Sequence, residues 1–101
     1  MFRQGDVLVV PVAEIPQAAQ VVPRDKGRVI LAYGEVTGHA HVVDAPEATL
    51  LTTTEQERFL RLVTAAPLVH EEHATITLPA GNYQVIRQAE YEPGSARRVA
   101  D

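Results

Sequence analysis

Apolar, β-forming residues occur in this chain as short runs, most of them bounded by glycine or proline. Val7–Val12 follows a Gly5-Asp6 turn, Val29–Tyr33 is closed by Gly34, and Leu68–Leu78 ends at Pro79-Ala80-Gly81-Asn82. Runs of this length, bounded in this way, are the pattern of strands. Strands at roughly ten-residue intervals, separated by such turns, define an all-β fold: a single small antiparallel β-barrel or sandwich. With 101 residues there is chain for one core and not for two, so residues 1–101 form one domain.

The elements follow from the same punctuation. The continuous apolar character of Val7–Val12 predicts burial on both faces, with Pro11 placing that end at an edge or bulge. Residues 13–28 hold Pro16, Pro23 and Gly27 without a helical period, which predicts a long irregular connection with one helical turn near Gln17–Gln20. Strands are expected over Val29–Tyr33 and over 35–43, the latter with a bulge or close backbone approach at Gly38. The apolar flanks of Thr53-Thr54-Glu55-Gln56-Glu57 favour a hairpin over 49–63 against a helix over 54–63. The longest strand is expected over Leu68–Leu78, returning antiparallel through Tyr83–Gln88 after a turn in which proline presets φ. Residues 92–101 turn polar and read as a tail or a short helical turn.

Composition removes several classes of function. There is no cysteine, which excludes disulfides, thiolate zinc sites and thiol nucleophiles. Any metal must be held by imidazole and carboxylate. The net charge is -4 and the nine Lys and Arg are scattered, which argues against a nucleic-acid footprint and an anionic membrane surface. Base-stacking platforms are disfavoured by the lack of tryptophan and the presence of only three tyrosines and two phenylalanines. No apolar run approaches the length that spans a bilayer, and no signal peptide is legible, so a cytoplasmic protein is expected. Ser95 lacks a Gly-x-Ser-x-Gly context, and no phosphate-cradling glycine loop is present. Asp6 reads as turn chemistry, and Arg87, Tyr91, Arg97 and Arg98 read as scattered surface groups.

All four histidines fall in two short words, Gly34-Glu35-Val36-Thr37-Gly38-His39-Ala40-His41 and His70-Glu71-Glu72-His73. Two close pairs separated in sequence are the spacing of a metal site assembled by tertiary contact. On a strand alternate residues share a face, so His39 and His41 are expected side by side, able to reach one ion about 2 Å from each nitrogen. The second word leaves three arrangements open. If it is extended, either His70 with Glu72 or Glu71 with His73 joins the first pair. If residues 70–73 turn or bulge, both histidines reach the site and four imidazoles are available. The candidate metal ligands are therefore His39, His41, His70 and His73. Glu71 and Glu72 are the candidate general bases or outer partners.

The first word resembles the start of a cupin first motif, a glycine, a short spacer and His-x-His, and Leu78-Pro79-Ala80-Gly81 is similar to the turn of cupin barrels. The resemblance implies a small barrel holding a metal through His39, His41, a glutamate and one later histidine. Glu47 stands beyond a proline turn, and the later histidines precede the Pro-Ala-Gly turn.

Two functions fit. The first is a metal-binding β-domain, with zinc, nickel, iron or manganese activating water for hydrolysis or hydration of a small-molecule substrate. The second is a non-catalytic accessory module, whose histidines stabilise the fold or an oligomer with or without a structural metal. A short all-β chain has edge strands to cover, and a homodimer is expected on that ground.

Overall fold

The computed structural model describes residues 1–34 and 38–88, which contain ten strands, numbered in chain order, and no α-helix. One sheet has six strands in the spatial order β1 (Phe2–Gln4), β2 (Val7–Val12), β10 (Gly81–Arg87), β7 (Arg58–Leu62), β6 (Thr49–Thr52) and β3 (Gln20–Val21). The other has four, β4 (Val29–Tyr33), β5 (Ala40–Val43), β8 (Ala66–Val69) and β9 (Ile76–Leu78). Every pairing is antiparallel. Neither sheet closes on itself, so of the two all-β forms the chain adopts the sandwich.

One apolar core lies between the sheets. It takes Val7, Val9, Leu50, Leu60, Leu62, Tyr83 and Val85 from the first sheet and Val29, Leu31, Val43, Leu68 and Leu78 from the second. Leu31, Leu60, Leu68 and Leu78 are completely enclosed, and each such side chain contributes about 1.5–3 kcal/mol relative to exposure. β2 buries alternate residues only, because its outer face meets no third layer. The expectation of burial on both faces is corrected accordingly. Pro11 lies past the last β1–β2 pair, Phe2↔Val9, so its missing N–H costs the sheet nothing on that side.

β4 carries a bulge. Ile30 pairs with Val42 and Ala32 with His41, which leaves Leu31 as the extra residue. The bulge turns Leu31 and Ala32 both towards the main core, while Ile30 joins Ala40, Val42 and Val69 on the opposite face. The Arg58 guanidinium donates to the carbonyls of Ile30 and Leu31.

The hairpin over 49–63 forms as β6 and β7, and residues 13–28 are irregular apart from β3 and an Asp25↔Arg28 bridge. A turn closed by Ala19 N–H to Pro16 O, 3.0 Å, stands where a helical turn is expected. The single strand over Leu68–Leu78 does not form. The chain leaves β8 after Val69, bends through Glu71–His73, and returns as β9 with Leu68 opposite Ile76. Residues 35–37 and the polar stretch 92–101, with Tyr91, Arg97 and Arg98, lie outside the described residues. Among those described, no helix is long and apolar enough to cross a membrane.

Candidate metal centre

The reversal between β8 and β9 gathers the second histidine word at the end of the smaller sheet, where β1 and β2 of the other sheet meet it. Gln4 ties the two together. Its amide nitrogen donates to Leu68 O at 2.9 Å and to Ala74 O at 3.0 Å, one carbonyl on each side of the bend. With both N–H groups so used, its oxygen faces His41 Nδ1 at 2.9 Å. An amide oxygen only accepts, so His41 carries its proton on Nδ1 and presents a bare lone pair at Nε2.

His41 lies inside, on β5 between Ala40 and Val42, and is fully buried. Burial above all, with the neighbouring His70 next, lowers its pKa to about 4. At neutral pH it is the uncharged imidazole that metals bind. Asp6, also fully buried, sets Oδ1 3.8 Å from His41 Nε2. Its other oxygen accepts from Arg87 Nε at 2.9 Å.

His70 sits at the centre of the cluster. Its ring centroid is 4.3 Å from that of His41, 4.5 Å from that of His73 and 5.6 Å from that of His39. The bend that carries it is held locally by Glu72 N–H donating to His70 Nδ1, 3.0 Å. His73 stacks against His41 at 5.8 Å with an interplanar angle of 16°.

The first histidine pair is split between two environments. β5 begins only at Ala40, and Gly34 N–H donates to His39 O at 2.8 Å, so His39 stands just before the strand. It is partly exposed and points Nδ1 at Glu72 Oε2, 3.9 Å away, while His41 faces the interior. His39 and His41 are therefore not two equivalent ligands on one strand face. Glu71 Oε1 accepts from Ala40 N–H at 3.0 Å, and that bond is the main cause of a lowered carboxyl pKa.

Ligand atoms of His39, His70 and Glu71 all lie within 4.8 Å of one another, close enough to hold one ion. His70 and Glu71 also line a cleft of about 340 Å³, together with the apolar Ala40, Val42 and Val69 and the charged Arg28 and Asp44. All four histidines thus form one contiguous group, with both glutamates beside it.

Four residues of the cluster were not expected from sequence. Asp6 stands in the expected Gly5-Asp6 turn between β1 and β2, but it is buried there, and Arg87 is bound to it rather than lying loose on the surface. Gln4 and Gly5 complete the frame. A lone acid ahead of an apolar strand is the one local signal for Asp6, and it is a faint one.

These features define a small antiparallel β-sandwich with a histidine–glutamate cluster that can hold a metal ion. The chain belongs to the family described as Domain of unknown function (DUF8820), whose model matches residues 3–88. No curated protein and no solved structure matches it.

Proposed function

We propose that this protein is a metal-binding β-domain in which His39, His70 and Glu71 hold a divalent transition metal, zinc before nickel, iron or manganese. The observation that supports this is the convergence of these ligand atoms within 4.8 Å, at a cleft that His70 and Glu71 themselves line. Three protein ligands leave a coordination position for water or substrate, the arrangement of catalytic rather than structural zinc sites. An ion so placed lowers the pKa of its bound water to about 7.

The reading that follows is metal-assisted hydrolysis or hydration of a small molecule. Ala40, Val42 and Val69 accept its apolar part, and Arg28 or Asp44 its polar end. Glu72, whose Oε2 lies 3.9 Å from His39 Nδ1, would serve as the outer partner of His39 and as the general base. The test is a Zn²⁺ titration of metal-stripped, untagged protein. His39→Ala and Glu71→Gln should each bind one equivalent fewer than the wild type. Undiminished stoichiometry in both variants would falsify the site.

The non-catalytic alternative draws on a different observation, that His41 and its partner Gln4 are buried inside the frame. In that reading the cluster fastens the two sheets. Loss of the fold in His39→Ala, a partly exposed position, supports the fastening role, and a folded, metal-deficient variant supports the open site.

A further inference from the structure

Taking His39, His70 and Glu71 as the ligands, as proposed above, we infer that loading the ion unlocks the bend at residues 70–73. Occupancy of the site and the position of Glu72 are thereby coupled. The three ligands differ in how ready they are to accept an ion.

Two are preset. Glu71 Oε1 accepts the Ala40 N–H at 3.0 Å. A carboxylate has a second oxygen and further lone pairs, so it takes an ion and keeps that bond. His39 turns Nδ1 towards Glu72 Oε2, 3.9 Å away. A proton on the nitrogen that faces a carboxylate leaves the other nitrogen with a bare lone pair, the usual posture of a ligating histidine.

His70 has the opposite posture. Its Nδ1 accepts from Glu72 N–H at 3.0 Å. A neutral imidazole has one donor and one acceptor nitrogen, so the ring proton is on Nε2. Whichever nitrogen the ion approaches is therefore already occupied. At Nδ1 the ion displaces the amide. At Nε2 the ring proton must move to Nδ1, where two N–H groups then face each other across the same 3.0 Å. Only an imidazolate could bind the ion and keep the amide, and imidazole does not lose its second proton near neutral pH. Either route ends with the Glu72 N–H released.

The release has a defined reach. Gln4 holds Leu68 O at 2.9 Å and Ala74 O at 3.0 Å, so both flanks stay fixed and the freed stretch lies between them. The Glu72 side chain is 58% exposed, and its amide can turn to water. Glu72 is also the residue assigned above as outer partner of His39 and as general base. The bond to His70 Nδ1 is thus a catch: it locks the backbone of the general base while the site is empty and frees it when the ion arrives.

The experiment follows amide exchange by ¹⁵N–¹H NMR on the full-length, untagged protein at pH 7, without and with saturating Zn²⁺. With the ion, the Glu72 amide should exchange about tenfold faster, the contribution of one hydrogen bond. The Ala40 amide, bonded to Glu71, should keep its protection. Shifts of the His39 and His70 ring nitrogens and of the Glu71 carboxyl report binding itself. If those groups shift and the Glu72 amide keeps its metal-free rate, the site holds an ion without the catch, and the inference is overturned. If Zn²⁺ leaves all three unmoved, the metal site itself fails and the inference falls with it.

Discussion

Arg87 Nε lies 2.9 Å from Asp6 Oδ2, joining residues 81 positions apart in sequence. Asp6 is fully buried and the Arg87 side chain is 16% exposed, so the pair is largely shielded from water. Removing the cation leaves a buried carboxylate without its countercharge, which costs about 3–5 kcal/mol. Arg87→Met should lose stability on that scale in urea unfolding at pH 7. Adding Asp6→Asn should recover most of the loss, since the uncompensated charge is then gone.

Gln4→Leu keeps the bulk of the side chain and removes its polar end. The carbonyls of Leu68 and Ala74 and the Nδ1–H of His41 all lose their partner. With about 1–3 kcal/mol for each polar group left unpaired in the interior, a loss of at least about 2 kcal/mol is expected. The ¹⁵N spectrum should change in step, from a single Nδ1-protonated tautomer of His41 to a mixture. A His41 ring still held in one tautomer would show that Gln4 does not set it.

The metal-free protein should weaken as pH falls from about 6.5 towards 4. His41 has a folded pKa of about 4 against an ordinary value of 6.5. Above 6.5 it is neutral in both states and adds no pH dependence. Between the two values the unfolded chain takes up a proton that the folded chain refuses, so folding becomes less favourable as pH drops. Below 4 both states are protonated and the effect is complete. At 1.36 kcal/mol per pH unit the interval corresponds to about 3 kcal/mol. His41→Gln should flatten the chemical-denaturation profile across this window.

Gly5 and Gly27 make a matched pair of substitutions. Both have positive φ, 60° and 80°, yet a methyl group at Gly27 meets nothing within 4 Å, whereas one at Gly5 strikes His73 Nε2. Gly27→Ala should cost only the left-handed backbone, about 1–2 kcal/mol. Gly5→Ala should cost more and should also shift the ring resonances of His73, which Gly27→Ala leaves in place.

Ion binding should be visible in thermal unfolding. At free Zn²⁺ a hundredfold above its dissociation constant the folded state gains about 2.7 kcal/mol. In a domain of this size that raises Tm by about 10–20 °C. A chelator should reverse the shift, and His70→Ala should reduce it.

What the chain declares locally was legible. The 49–63 hairpin follows from apolar runs on either side of a polar turn, and β4 from a run stopped by Gly34. The Pro79-Ala80-Gly81-Asn82 turn places β10 because proline and glycine act through backbone sterics that need no partner. The meeting of the two histidine words was also legible, since histidine occurs nowhere else in the chain.

What tertiary contact decides was not. No glycine or proline marks the reversal at 70–75, so the stretch reads as a strand, with a turn or bulge at 70–73 only as one of three open arrangements, the one the chain adopts. It bends because Gln4 pulls on both of its sides and because Glu72 N–H closes on His70 Nδ1. Asp6 looked like turn chemistry because its partner, Arg87, comes into range only through the β2–β10 register, in which Arg87 stands opposite Val7. The split between His39 and His41 depends on β5 starting at Ala40, one residue past the point that strict alternation needs.

Gln4 reaches carbonyls 64 and 70 residues further along the chain. A contact of that span forms only after most of the domain has been synthesised, and closing so long a loop is among the slow events of folding. Until the first strand docks, both histidine words can be exposed without being assembled. The frame that fixes the ring of His41 closes only when Gln4 reaches it, so the order of the cluster is set late, by the end of the chain that was made first.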